Sequence, residues 1–228
     1  TVPGKSTHIC NRHLVAQPFL YGFERPGVSA IDNMLKYQLA ILELEKQWGL
    51  WRSNEHVPPG GMFVSINTMQ AGGSITSIPD SADATGSLLF NPDLTGDEVV
   101  AEVRAAIQRV TDGDAWLREH PPVLDIPLDA SSAAPWIKEP VNLAHDHPLI
   151  EVIQTAMGAS GRERVPVTIS PFVCDANFWF PLGQDCLIWG IGEPSWGIHG
   201  TNERIPVADL IAGTKAFAAA TMAWCGVD

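Results

Sequence analysis

The chain has 228 residues, 45% of them hydrophobic, which is enough apolar material for a real core in one large or two small domains. Its 14 basic and 26 acidic residues leave a net charge of −12, a field that repels phosphate backbones and anionic lipid surfaces and excludes nucleic acid as an expected partner. The longest apolar runs fall far short of the roughly 20 residues a spanning helix needs, so a soluble protein is expected. The start of the chain lacks the charged and apolar regions of a signal peptide. Cys10, Cys174, Cys186 and Cys225 are widely spaced, with no C-x-x-C pair. That usage fits reduced thiols in a cytoplasm rather than a zinc knuckle or a disulfide framework.

Residues 1–8 read as an opening strand that begins mid-pattern, without an initiator Met or a cap, as a piece of a longer polypeptide would. Residues 9–27 hold Pro18, Gly22, Pro26 and Gly27 without periodicity and read as a long loop. From Val28 to about Trp51 a helix is predicted: Ile31, Leu35, Leu39 and Leu42 recur at spacings of three or four, while Asp32, Lys36, Glu43 and Lys46 fall mostly on other faces. Pro58-Pro59-Gly60-Gly61 ends that region, residues 62–69 alternate as a strand does, and Gly72-Gly73 marks a tight bend or close backbone approach. Another strand, over about 84–90, closes at Asn91-Pro92. A second helix then starts with Thr95 as N-cap, Glu98 as its capping-box partner and Asp97 adding charge to the first turn. Val99, Val103, Ile107 and Val110 give its apolar stripe, and residues 121–128 form a last strand. Strand, helix, strand, strand, helix, strand is the split βαβ, ferredoxin-like order, an antiparallel sheet with two helices on one face.

Residues 131–140, rich in Ala, Ser and Pro, read as a linker, with the domain boundary between 132 and 133. Beyond it a helix over 148–157 is predicted, with Asp146-His147-Pro148 as its capping start. A strand at 165–169, a short helix after Asp175, a strand at 186–189 and a helix over 206–224 complete an α/β alternation. About 90 residues with two strands make a poor core, so this region is expected to complete a sheet supplied from elsewhere.

Residues 187–203 carry the clearest chemical signal. An apolar strand runs into a Gly- and Pro-rich loop that ends on His199, with the carboxylate of Glu203 four residues on and a helix behind it. Ligands of open α/β sheets gather at strand ends, so an imidazole there suits metal ligation or acid–base work better than one inside a helix. Trp196, beside it, is placed to wall a pocket, whereas Trp48, Trp51, Trp179, Trp189 and Trp224 sit where packing explains them. His56, His120, His145 and His147 lie near prolines in loops or at helix entries, where a structural or solvated role is the default. His8, which ends a strand and opens the long loop, and His13 are less ordinary. Gly158-Ala159-Ser160-Gly161 lacks the G-x-S-x-G spacing of a nucleophile elbow, and Gly190-Ile191-Gly192 lacks the third Gly of a dinucleotide fingerprint.

Several motifs, in order, resemble the acetylornithine deacetylase and succinyl-diaminopimelate desuccinylase family of zinc metallo-amidohydrolases. Cys174-Asp175-Ala176-Asn177-Phe178, Gly190-Ile191-Gly192, His199-Gly200-Thr201-Asn202-Glu203 and Trp224-Cys225-Gly226 are similar to the C-terminal part of its α/β catalytic domain. Val2-Pro3-Gly4-Lys5-Ser6-Thr7-His8, Gly27-Val28-Ser29-Ala30-Ile31, Ile66-Asn67-Thr68-Met69-Gln70-Ala71-Gly72-Gly73 and Ile78-Pro79-Asp80 are similar to its inserted lid, or dimerisation, domain. The fold this implies is an α+β lid over residues 1–132, followed by a C-terminal portion of the catalytic domain over 133–228.

The resemblance also implies chemistry. In the family two zinc ions, with cobalt or manganese as substitutes, generate the nucleophile and polarise the amide carbonyl, and a Glu is the general base. His199 is then a zinc ligand, and His8 reaches into the other subunit of a homodimer to donate to the developing oxyanion. Asp175 and Asn177 fall among substrate contacts. This sequence has no counterpart of the family's N-terminal half, with its H-x-D pair, bridging Asp and Glu-Glu pair. Three or four ligands are needed even for one zinc, so the chain alone is expected to be inactive and that half is its implied partner. The family often has Asn two residues before the lid's Ile-Pro and Arg after the next strand; Thr76 and Asn91 stand there. Loss of a guanidinium removes a bidentate carboxylate partner, which favours a neutral or heteroaromatic N-acyl or N-formyl amine as the small-molecule substrate. The expected function is zinc-dependent hydrolysis of a linear, non-peptide amide bond. The alternatives are a non-catalytic dimerisation module and, more weakly, a serine or cysteine hydrolase.

Overall fold

The computed structural model describes residues 1–8, 27–53, 56–126, 140–170 and 174–226. The chain forms two compact units, Thr1–Pro140 and Val141–Asp228. The boundary expected at 132/133, the loop expected from residue 9, Cys10 and His13 fall outside the described residues.

In the first unit β1 (Val2–Pro3), β3 (Phe63–Ala71) and β5 (Ser81–Leu89) make an antiparallel sheet in the order β1-β5-β3. β2 (Thr7–His8) and β4 (Ser77–Ile78) form a separate two-stranded ribbon. Two helices, α1 (Ala30–Trp51) and α2 (Gly96–Gly113), contribute to the core with the short α3 (Ala115–Glu119). Helix α1 begins where Ser29 Oγ accepts the Asp32 N–H at 3.2 Å. Helix α2 begins at the predicted capping box: Thr95 Oγ1 accepts the Glu98 N–H, and the Glu98 carboxylate accepts the Thr95 N–H at 2.8 Å. The Thr95 N–H and then the Thr95 hydroxyl, both donating to it, hold the Glu98 carboxyl below its ordinary range.

The face that α1 buries is not the one its sequence advertises. Met34, Tyr37, Ile41, Leu44 and Trp48 enter the core, while Ile31, Leu35, Leu39 and Leu42 are exposed, Leu39 by 65%. The helix is apolar along two stripes at helical spacing, and the sheet with α2 covers only one. Val64, Phe90, Val99 and Val103 join Ile41, Leu44 and Trp48 in one cluster, and Val2, Ala82 and Leu117 join Met34 and Tyr37 in another. Tyr37 Oη lies 3.0 Å from Thr111 Oγ1 in the buried seam between α1 and α2. The end of α1 is tied down by Trp48 Nε1, which donates to Glu102 at 2.6 Å, and by an Arg52–Glu102 ion pair.

Of the strand expected over 121–128, the described residues, 121–126, carry no strand, and 127–128 fall outside the described residues. The segment reaches β1 through one exchange, Thr1 N to Val123 O and Val123 N to Thr1 O, both 2.9 Å. β1 is only two residues long and its second, Pro3, has no N–H to extend a ladder.

In the second unit α4 (Pro148–Ala159) packs against α6 (Val207–Cys225), with the short α5 (Ala176–Trp179) running into a 3₁₀ turn, Phe180–Leu182. The predicted start of α4 is present: His147 is the N-cap, its Nδ1 accepts the Leu149 N–H at 3.2 Å, and Pro148 occupies the first turn. The strands expected at 165–169 and 186–189 are not formed, and no strand occurs among this unit's described residues. A strand exists only against a neighbour, and none is at hand among this unit's described residues. The buried Gln154 side chain partly replaces one, taking the Val165 N–H at 3.1 Å and donating to the Val165 carbonyl at 2.6 Å. Val165, Val167, Ile188, Leu210, Ile211 and Phe217 remain exposed. Among the described residues no helix is long and apolar enough to cross a membrane.

Candidate functional site

The two units each hold part of the predicted constellation. In the first, the ribbon sets His8 opposite Ser77 and Thr7 opposite Ile78, so the backbone of His8 lies beside the turn that carries Thr76. The ribbon is fixed to the start of α1 by a crossing of three segments: Lys5 and Val28 exchange hydrogen bonds, Gly4 N donates to Asp80 O, and Ala30 N donates to Pro79 O. A Cβ at Gly4 would lie 2.6 Å from the carbonyl oxygens of both Pro79 and Val28. Only glycine permits that approach.

Thr76 is exposed, and its turn is stiffened by Ser74 Oγ, which accepts the Thr76 N–H at 3.2 Å and lies 3.0 Å from Thr76 Oγ1. Ile75, next to it, is 94% exposed. An open depression of about 460 Å³ lies between this turn and the start of α1, bordered by Ile31, Asp32, Ser74, Ile75 and Ser77. The sequence joined Asn91 to Thr76 as a substrate contact; the structure separates them. Asn91 is 1% exposed, its Nδ2 donates to the Arg52 carbonyl at 2.5 Å, and its buried Oδ1 has no hydrogen-bond partner among the described residues. At that depth the amide closes the end of α1.

In the second unit the loop before α6 carries His199. A 3₁₀ turn over Pro194–Trp196 leads to Gly197 at φ +80°, Gly200 N donates to Gly197 O at 2.7 Å, and Arg204 N donates to Trp196 O at 3.1 Å. His199 is exposed and has φ +59°. Among the described residues only it and Asn202, at φ +64°, are non-glycine residues with positive φ. Asn and His are among the non-glycine types enriched in that region, though a Cβ there still costs about 1–2 kcal/mol. The His199 N–H donates to Glu203 Oε2 at 3.3 Å.

The loop's entry is anchored on α6. Trp189 stacks on Phe217 with ring centroids 4.9 Å apart, and Ile191 fills the notch over Gly213, where a Cβ would lie 1.2 Å from Ile191 Cδ1. On α5, Asn177 Oδ1 accepts the Cys174 N–H at 3.1 Å, and the exposed Asp175 occupies the N-cap position without a capping bond. Sequence reasoning singled out His199 but missed the Glu203 bond and the left-handed backbone. The signal available was the interleaving of Gly197, Gly200 and Asn202, residue types that accept positive φ.

An exposed imidazole on a hydrogen-bonded turn has the donor chemistry of a metal ligand, but the number is wrong. No group of three or more His, Cys, Asp or Glu that could hold a metal ion occurs among the described residues. These residues alone do not fit a metal centre.

The profile of Peptidase family M20/M25/M40 matches residues 54–223. N-formyl-4-amino-5-aminomethyl-2-methylpyrimidine deformylase of Bacillus subtilis (strain 168) is 26% identical over 204 residues, covering 87% of this chain and 47% of that protein. Succinyl-diaminopimelate desuccinylase of Alkalilimnicola ehrlichii is 25% identical over 211 residues, covering 92% of this chain and 46% of that protein. The chain thus spans about half the length of the curated relatives it matches. In fold it is similar to aminopeptidase PepT from Bacillus cereus ATCC 10987, with a TM-score of 0.56 at 18% identity over 96% of this chain and 48% of that one. Enzymes of this family are generally metal-dependent. With most of its length matched by the profile, the chain belongs to peptidase family M20/M25/M40, the amidohydrolases its motifs resemble.

Proposed function

We propose that this chain is the lid domain and the C-terminal part of the catalytic domain of a zinc-dependent amidohydrolase that cleaves a linear, non-peptide amide bond, of deacylase or deformylase type. The observation that carries the reading is His199, an exposed imidazole held in a left-handed turn, in a chain of this family. His199 is one zinc ligand, and the remaining donors come from an N-terminal half. Zinc, with cobalt or manganese as substitutes, would supply Lewis-acid polarisation of the amide carbonyl. The relatives' length, about twice this chain's, supports that division. So does the second unit, with apolar side chains exposed and no strand formed over 165–169 or 186–189.

In the first unit the lid is read as ferredoxin-like, with residues 121–126 beside β1 as its fourth extended segment. Two lids associate as a homodimer, and His8 donates to the oxyanion developing in the partner's site. Thr76, Asp175 and Asn177 contact the substrate. With Thr76 at the turn and Asn91 buried, no guanidinium is assigned to a substrate carboxylate, which favours a neutral or heteroaromatic N-acyl or N-formyl amine. The Bacillus subtilis relative, named for an N-formyl aminopyrimidine, supports that class. The cysteine usage favours the cytoplasm.

The test is metal analysis of this chain mixed with its N-terminal half. About two zinc ions per complex are expected, with one lost in His199→Ala. No uptake in any mixture overturns the hydrolase reading in favour of a non-catalytic dimerisation module. A clear preference for a carboxylate-bearing amide over its uncharged analogue would overturn the substrate class.

A further inference from the structure

We infer that Glu203 is a positioning residue for His199, holding its backbone in the left-handed region and so fixing the direction in which the imidazole leaves the turn. The inference rests on the proposed role of His199 as a metal ligand, and it concerns a residue to which that proposal gives no part. Within this turn Gly197 and Asn202 also have positive φ, and glycine adopts it without cost. His199, like Asn202, is of a residue type enriched there, but its Cβ still crowds the following carbonyl. A His left to itself relaxes to negative φ, which swings Cβ and the ring to another side of the chain.

Two backbone bonds, Gly200 N to Gly197 O and Arg204 N to Trp196 O, close the turn without engaging the His199 amide. That amide points instead to Glu203 Oε2, 3.3 Å away. The carboxylate therefore acts on the peptide unit preceding His199 Cα, whose orientation relative to Cβ changes when φ at His199 changes sign. With that dihedral fixed, only the two side-chain torsions of His199 remain free, the kind of pre-alignment a ligand needs from its supporting residues. A substitution at Glu203 should thus change where the imidazole points while leaving the imidazole in place.

The experiment uses the isotope-labelled 228-residue chain and reads the His199 amide by NMR, comparing Glu203→Ala with Glu203→Gln. The readouts are its hydrogen-exchange rate and the strong intraresidue HN–Hα contact typical of a left-handed residue. Glu203→Ala should speed His199 exchange by roughly three- to tenfold, the range that loss of one such bond represents, and should weaken the left-handed signature. Glu203→Gln, which keeps an acceptor oxygen at the same reach, should restore both. The Arg204 amide, bonded to Trp196 O, reports whether the turn is still folded.

Retention of the signature and the slow rate in Glu203→Ala overturns the inference. So does a Glu203→Gln chain as fast as Glu203→Ala while Arg204 stays protected, because the carboxylate would then not be acting as a backbone acceptor. Neither readout depends on zinc uptake, so failure of the hydrolase reading and failure of this inference are separate results.

Discussion

Replacing Gly213 with Ala tests whether the loop that carries His199 is anchored on α6. In a helix interior this change normally stabilises, because Ala exceeds Gly by about 0.8–1.0 kcal/mol in helix propensity. Here a Cβ would lie 1.2 Å from Cδ1 and 2.4 Å from Cγ1 of Ile191, so the whole Ile191 side chain must leave its notch. Overpacking of that kind costs about 1–3 kcal/mol, and it outweighs the propensity gain. A net loss of about 1 kcal/mol is expected in chemical denaturation, with a change in the near-UV signal of the Trp189–Phe217 stack. Gly158→Ala, near the end of α4, is the control. Nothing lies within 4 Å of a Cβ there, so the same change should be neutral or stabilising. Adding Ile191→Ala to Gly213→Ala removes the clashing atoms, and the two changes should couple favourably by at least about 0.5 kcal/mol. If Gly213→Ala stabilises as Gly158→Ala does, Ile191 does not occupy the notch and the anchoring argument fails.

Asp114→Ala should cost about 1 kcal/mol in urea denaturation, since Asp114 Oδ1 caps α3 by accepting the Trp116 and Leu117 N–H groups at 2.9 and 3.0 Å. The bond from Lys36 Nζ at 2.7 Å, then the Leu117 N–H, hold its carboxyl below the ordinary range. A folded-state pKa below the unfolded one gives stability that is present above the ordinary carboxylate pKa and lost as pH falls through the depressed value. Stability measured from pH 6 downward should therefore decline in the wild type and decline less in Asp114→Asn. Leu39→Glu, at a position 65% exposed on α1, should change stability by no more than about 0.5 kcal/mol. If the proposed lid dimer uses that stripe, it shifts sedimentation toward monomer; an unchanged sedimentation profile would move the dimer contact elsewhere.

Local chemistry was legible. The Thr95–Glu98 box, the Pro148 start and the three long helices depend on residues within one or two turns of each other, and the sequence states those relations directly. The motif ending in His199 was legible for the same reason, as a Gly-rich run with a His inside it. Its left-handed backbone and the Glu203 bond were not, because a positive φ is seen only once the turn has closed through Gly197 and Trp196 and the His199 N–H has met Glu203.

Apolar periodicity determined that residues 30–51 are helical, but two apolar stripes satisfy that spacing equally. Only packing against the sheet and α2 chose Met34, Tyr37, Ile41, Leu44 and Trp48 over Ile31, Leu35, Leu39 and Leu42. Residues 121–128, 165–169 and 186–189 have strand-like sequences, yet a strand is made by its neighbour, and β1 with Pro3 offers one exchange to Val123 while Gln154 alone answers Val165. Asn91 follows the same logic: its number in the chain put it beside a substrate site, and its 1% exposure put it under the end of α1. Sequence by itself determined the four longer helices, the starts of α2 and α4, and the family, since these rest on short-range spacing, while α3 with its Asp114 cap and the Ser29 cap of α1 went unread. Tertiary structure alone decided which faces are buried and which extended segments become strands, because burial and strand pairing are contacts between residues far apart in the chain.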